Sequence, residues 1–281
     1  MRTRDILIVI SILIASTLFS ERIVDNKNGT VTDKKTGLTW EICDERECSD
    51  YDYFDAKERC DALNKVGKKW RLPTQKELVL SYDYEKNSFI VPAYDEANAR
   101  PYIWSSTDAG SGARFTLGYN DNNYTKVITS KIAIHRVNCV SGQEYRSYYV
   151  DNKNGTVTDK QAKLIWQKCS IGQNNDYLCS GQATVHSWED AIEQCKNLKL
   201  AGKKWRLPTL HQLLSLVDYK RNANAPFISE QFFPNIQSNY YWSSSTYAQP
   251  TSSACYVNFN YGGVHYNAKT YNYYVRCVTD P

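Results

Sequence analysis

Four histidines, nine cysteines and a tyrosine-rich run are the residues of this 281-residue chain with the most evident chemical potential. Acid–base or nucleophilic catalysis needs a histidine beside an orienting carboxylate or a nucleophile. His135, His186, His211 and His265 have no cysteine or aspartate partner at a recognisable spacing, and they do not recur at matching places. No glycine-rich phosphate loop and no paired-histidine metalloprotease pattern occurs. A zinc site would need close cysteine pairs with histidine partners, and the cysteines are not spaced that way. No catalytic residue, metal or other cofactor is therefore expected.

The positive signal is compositional. From Ser238 to Tyr274 the chain interleaves tyrosine with Asn, Ser and Gly, without an acidic residue. Recognition loops use this mixture because tyrosine offers a large amphipathic contact at low entropy cost, while Ser, Gly and Asn adapt their hydrogen bonds. The candidate ligand contacts are Tyr240, Tyr241, Tyr247, Tyr256, Asn258, Asn260, Tyr261, His265, Asn267 and Tyr274. Tyrosine and asparagine also fill ordinary strands and turns. Lys203 and Lys204, with their counterparts Lys68 and Lys69, are the candidates for an anionic ligand.

What positions these residues is a duplication. Gly67 to Thr74 and Gly202 to Thr209 both read G-K-K-W-R-L-P-T, and Asp25 to Lys34 is repeated at Asp151 to Lys160 as D-N-K-N-G-T-V-T-D-K. The cysteines repeat as well. Cys43, Cys48, Cys60 and Cys139 match Cys169, Cys179, Cys195 and Cys277, leaving Cys255 over. Cys43 with Cys48 and Cys169 with Cys179 are expected to close surface loops of different length. Cys60 with Cys139 and Cys195 with Cys277 are expected to tie a helix to the last strand of each repeat. Cys255 alternates with Val257 and Phe259 and reads as a small buried hydrophobe on the apolar face of a strand whose other face is polar.

Each repeat opens on a hairpin, with Asn-Gly at a tight turn and Trp40 or Trp166 as a core anchor. Calcium ligation by this Asp/Asn-rich turn does not fit the spacing of an EF-hand loop. A helix follows, over about 54–65 and 188–199, with Ala191, Ile192, Cys195 and Leu198 on one face. Gly67 and Gly202 are expected to end it. Trp70, Arg71, Pro73 and Thr74, like Trp205, Arg206, Pro208 and Thr209, read as structural, since Thr74 with Glu77 and Thr209 with Gln212 spell capping boxes of a second helix. Arg71 and Arg206 are expected to pair with a buried carboxylate or with carbonyls. Short strands after Trp104-Ser105-Ser106 and Trp242-Ser243-Ser244 complete an α+β repeat. With Cys277 facing inward, strand parity turns Val275 and Tyr273 to the core and Asn272 and Tyr274 outward.

A net charge of +4, spread over 34 basic and 30 acidic residues, gives no reason to expect nucleic acid. Arg2 and Arg4 precede an apolar run, Ile6 to Phe19, that is short for a span of about 20 residues. It reads as a signal peptide over 1–20, with an uncleaved anchor as the alternative. The expected division is 1–20, a first domain over 21–142, a linker over 143–148 and a second domain over 149–281, each domain burying its own core. The mature chain, with no stable membrane span, is expected to be secreted or at a bacterial cell surface, the periplasm being the other possibility.

The order G-T-V-T-D, x-L-x-W, W-R-L-P-T, Y-W-S-S and V-R-C-V resembles a bacterial family named after the C-terminal domain of the Legionella collagen-like adhesin. The likeness runs from Asp25 to Val140 and from Asp151 to Val278. The first repeat departs from it, with Ile103-Trp104 for Tyr241-Trp242 and Asn138 for Arg276. R-L-P-T entering a capped helix is also similar to formylglycine-generating enzymes. That resemblance implies two tandem C-type-lectin-like domains, each with two helices packed on a twisted, mainly antiparallel sheet. It implies an adhesin-like partner, a glycan or an extracellular protein, through the tyrosine-rich loops. The alternatives are sulfated-glycan binding through lysines, a structural envelope protein, and an oxidase that would use Cys255.

Overall fold

The computed structural model describes residues 22–43, 45–48, 51–83, 88–89, 102–118, 125–128, 130–220 and 226–281. The expected signal peptide lies outside them. In the first repeat β1 (Ile23–Asp25), β2 (Thr30–Asp33) and β3 (Leu38–Glu41) form an antiparallel meander, followed by α1 (Glu45–Cys48), α2 (Tyr53–Ala62), β4 (Trp70–Arg71) and α3 (Gln75–Leu80). After the short pair β5 (Tyr82–Asp83) and β6 (Ser88–Phe89) come β7 (Tyr102–Gly110), β8 (Ala113–Gly118), β9 (Thr125–Ile128) and β10 (Val140–Ser141). The second repeat has β11 (Tyr149–Asp151), β12 (Thr156–Asp159), β13 (Leu164–Gln167), β14 (Val185–His186), α4 (Trp188–Asn197), α5 (Leu210–Ser215), β15 (Tyr240–Thr246), β16 (Ser253–Asn258), β17 (Gly263–Ala268), β18 (Tyr273–Tyr274) and β19 (Val278–Thr279).

The architecture is α+β, with two main sheets per repeat, and the small β5-β6 pair in the first, where a single sheet is expected. One is ordered β1-β2-β3-β10-β4, and its counterpart is β11-β12-β13-β19. The other is the meander β7-β8-β9 in the first repeat and β14-β18-β15-β16-β17 in the second. Pairing is antiparallel except where β18 lies parallel to β15, Tyr241 opposite Tyr274, and at the isolated parallel bridge of Ile103 with Arg136.

The duplicated motifs act alike in both copies. The opening turn is not a two-residue Asn-Gly turn. Asn26 N–H bonds to Thr30 O and Asn152 N–H to Thr156 O, so four residues connect the strands. Lys27 (φ 58°) and Gly29 (φ 78°) occupy the left-handed region, as do Lys153 and Gly155. Asp25 and Asp151 accept the N–H of that lysine, at 2.8 and 2.9 Å, which holds the unusual residue in place. Helix α2 starts on Asp52, which accepts from two backbone N–H groups, and α4 starts on Ser187. Both helices stop sooner than expected, at Ala62 and Asn197. Gly67 and Gly202 do not end them but sit in the turn beyond, at φ 65° and 66°.

From there the repeated segment runs as a bracket. The indole N–H of Trp70 bonds to Lys65 O and that of Trp205 to Leu200 O, both at 3.0 Å. The capping boxes on Thr74 and Thr209 are both formed. Arg71 grips the buried carboxylate of Glu77, and Arg206 takes Gln212 and Asp280 instead. Pro73 O and Pro208 O accept the N–H groups of Ser106 and Ser244. The segment thereby joins helix and sheet.

Disulfides join Cys43 to Cys48, Cys60 to Cys139, Cys169 to Cys179 and Cys195 to Cys277. Each long bridge lies in a small core of its own repeat. One core contains Tyr53, Trp70, Leu72 and Trp104, and the other Ala191, Trp205, Leu207 and Trp242. The largest core belongs to both repeats. Trp40, Leu78, Val79 and Phe115 of the first pack in one cluster with Trp166, Leu213, Leu214 and Val257 of the second, so each repeat has a small core of its own and shares a larger one. Its centre is α3 against α5. A helix that is apolar on every side must be covered on every side, and Leu78, Val79 and Leu80 in succession are all buried.

Candidate functional site

The tyrosine-rich strands form a sheet buried on both faces, not on one. Tyr241, Cys255, Val257, Phe259 and Val264 enter the shared core, and Trp242, Ala254, Tyr256 and Tyr273 pack on the other side with α4. The expectation of a polar outer face on β16 therefore fails, and its candidates divide. Tyr241, Tyr256 and Asn258 are buried. Tyr274 is turned toward the shared core and lies 5.5 Å from the Tyr241 ring, rather than facing outward. Tyr247 is half-buried and stacks on Tyr266 at 3.6 Å.

The remaining candidates come together at one end of the sheet. Tyr240 is 37% exposed, and its ring lies 5.1 Å from both Tyr256 and Tyr273. Those two are 4.7 Å apart, and Trp242 lies 4.5 Å beneath Tyr273. Beside them, Tyr256 pairs in register with His265, whose Nε2 meets the Tyr261 hydroxyl. Asn267 donates to the Tyr273 hydroxyl at 2.8 Å. Asn258 accepts from the N–H of Asn260, which is exposed and takes Ser238 as a further partner. The arrangement is an exposed aromatic ring on a fixed aromatic floor, edged by amides and an imidazole.

Its electrostatics are those of neutral groups. Burial, together with neighbouring Tyr273, pushes the Tyr256 phenol well above its ordinary value, and burial raises Tyr261 as well. Both stay protonated at neutral pH. Such a surface can stack on a flat apolar face and exchange hydrogen bonds, but it offers no activated nucleophile.

In the first repeat the partners differ. Trp104 pairs in register with Thr116, where Trp242 pairs with Tyr256. His135 precedes Cys139 by the interval at which Tyr273 precedes Cys277, and packs 4.8 Å from Trp104 and 5.5 Å from Tyr102. Among the described residues the cluster of three tyrosines on a tryptophan belongs to the second copy.

The basic candidates lie elsewhere. Lys68, Lys69 and Lys204 are exposed and Lys203 half-buried, in the turns that lead into Trp70 and Trp205. Sequence reasoning missed Lys269, whose ammonium sits 4.2 Å over the Trp188 ring. It also missed Tyr271, 55% exposed beside Tyr273. The signal for Tyr271 was its place in the same run of tyrosines.

Cys255, outside the four disulfides, is 2% exposed in the shared core, which suits a small hydrophobe and not a copper ligand. Among the described residues Glu41, Cys43 and Cys48 bring ligand-type atoms together. Those thiols form a disulfide, and the Arg59 guanidinium holds Glu41 through two bonds of 2.8 and 2.9 Å. Among the described residues no helix is long and apolar enough to cross a membrane.

Residues 29–141 and 155–279 each match the family model described as the Lcl C-terminal domain. The chain belongs to the Lcl C-terminal domain family. The Lcl domain occurs here as a tandem pair, and the two matches take in both the bracket segment and the disulfide core of each copy. A comparison with curated proteins gave no match. The matched family is one of non-catalytic domains.

Proposed function

We propose that this tandem Lcl protein is an adhesin-like binding protein, secreted or displayed at the bacterial surface. Its second copy takes a carbohydrate or an extracellular protein on the surface of Tyr240, Tyr271, Asn260, Tyr261, His265 and Asn267. The observation that carries the reading is Tyr240, exposed yet seated on Tyr256 and Tyr273. A ring held in place stacks on a sugar face or an apolar side chain with little further loss of conformational freedom. The C-type-lectin-like arrangement of helices, sheets and disulfides, and the division into domains over 21–142 and 149–281, belong to the same proposal.

A second reading has one observation in its favour, the exposed Lys68, Lys69 and Lys204. It takes a sulfated glycan on those cations. Salt separates the two, because screening weakens contacts between exposed charges and leaves stacking in place. The test is a glycan and matrix-protein array at low and high salt, with Tyr240→Ala and with Lys203→Ala/Lys204→Ala. Salt-resistant binding lost in Tyr240→Ala supports the aromatic surface. Salt-sensitive binding lost in the lysine variant transfers the function to the turns. No binding to any partner would leave a structural envelope protein.

A further inference from the structure

The segment between the repeats, Gln143 to Tyr148, is more than a tether, because a cavity of about 460 Å³ opens beside it. That volume is within the range of roughly 300–1,000 Å³ found for small-molecule sites. The wall is built from both copies. Lys76 of α3 and Thr107 of β7 come from the first, Tyr219 and Phe232 from the second, and Tyr148 and Tyr149 from the junction. His211 occupies in α5 the position of Lys76 in α3.

Three features of the wall specify an occupant. The first is charge. Among the described residues the lining contains three cations and two carboxylates, one positive charge in excess. Glu144 is engaged by both Arg146 and Lys220, at 2.9 and 2.8 Å. Lys76 donates to the Ser147 hydroxyl at 2.6 Å, and among the described residues no carboxylate lies within ion-pair distance of it. Burial pushes this ammonium down to about 8, against the raising influence of Asp159 and Asp218, so it is charged at neutral pH with no carboxylate in contact among the described residues. The second feature is aromatic area. Tyr148 is exposed, and Tyr149 and Phe232 form a tilted pair 5.4 Å apart. The third is a set of hydroxyls, from Thr74, Thr107 and Ser229, among these rings.

We infer that this inter-repeat cavity binds a sugar ring carrying a single carboxylate, a hexuronate, with the carboxylate on Lys76 and the ring against Tyr148 and Phe232. One cation without a carboxylate partner among the described residues matches a monoanion better than a phosphate, which carries more charge. Aromatic faces beside hydroxyls suit a ring that is apolar on its face and hydroxylated at its edge. The site is separate from the tyrosine surface of the second copy, and either can exist without the other.

Titration of the full chain with D-glucuronate, followed by calorimetry or by NMR shifts, tests the assignment. Saturable binding is expected, and glucose is expected to bind at least about ten-fold more weakly, as is the methyl ester of glucuronate. Lys76→Met should lose about ten-fold or more in affinity while keeping its circular dichroism spectrum. Ser229→Trp, which fills the cavity, should abolish binding, and Tyr240→Ala should leave it unchanged. No saturable binding of glucuronate, or equal binding by Lys76→Met and Ser229→Trp, would overturn the site. Equal affinity for glucose 6-sulfate would overturn the choice of a carboxylate.

Discussion

Asp159 holds in the second repeat the place that Asp33 holds in the first, and the two carboxylates have opposite surroundings. Burial alone would raise Asp33, but Arg22 grips both its oxygens, at 2.9 and 2.7 Å, and holds it below the ordinary carboxylate value. In register, Tyr148 stands where Arg22 would be. Asp159 keeps two backbone N–H donors on Oδ1, its Oδ2 is buried without a hydrogen-bond partner among the described residues, and burial raises its pKa. Stability due to Asp33 is present above its unfolded value near 3.8 and is lost as pH falls through the lower folded value. That due to Asp159 is present below 3.8 and is lost as pH rises through the higher folded value. Asp33→Asn should therefore destabilise at neutral pH and cost less in acid, whereas Asp159→Asn should be tolerated at neutral pH and cost more in acid. Thermal melts of both variants from neutral to acid pH check this, and parallel curves would refute it.

Lys76 gives a test at the alkaline end. Its folded value, about 8, lies below its unfolded value near 10.5, so the unfolded chain binds the extra proton between them and stability rises with pH across that window. Burial raises Tyr145 and Tyr149, which oppose the trend above about 10. Lys76→Met should melt above the wild type at pH 7, and the gap should narrow between pH 8 and 10. A constant gap would show that burial does not disfavour the ammonium.

The long disulfides should matter more than the short ones. Cys195 and Cys277 are 82 residues apart and Cys43 and Cys48 are 5 apart. Loop-closure entropy gives about 4 kcal/mol for the former and about 2 kcal/mol for the latter. Paired Cys→Ser variants measured by denaturant unfolding should keep that order.

At the tyrosine surface, Tyr240→Ala and Tyr271→Ala should remove ligand binding with a change in melting of at most a few degrees, since both rings are exposed. Tyr256→Ala should destabilise the fold by about 3 kcal/mol, because it empties a buried ring site. If Tyr240→Ala melts like Tyr256→Ala, the ring is part of the packing and not a recognition surface.

Local chemistry was legible in the sequence. The capping boxes, the indole anchors and the cysteine pairs depend on residues whose partners follow from short-range geometry or from the repeat itself. The tyrosine face was not, because strand parity separates two faces without saying which is wet. On β16 neither is, since the rings of Tyr240, Trp242 and Tyr273 cover Tyr256 and the shared core covers Cys255. Leu78-Val79-Leu80 and Leu213-Leu214 did carry the sign of that shared core, as helices apolar on more than one side. Such a run shows that something covers the helix, and what covers it is its own duplicate.

α3 meets α5, its own duplicate, so that like elements face each other as they do across an isologous contact. In a true homodimer every substitution at such a contact appears on both sides at once. Joined in one polypeptide, the halves meet whatever the protein concentration, and each can change alone. Lys76 and His211 hold the same place in their helices and have parted company. The lysine reaches the Ser147 hydroxyl beside an open cavity, and the histidine bonds to Tyr82 O at 2.7 Å. Covalent linkage has released the two copies from symmetry, so one can keep the frame while the other acquires a surface of its own.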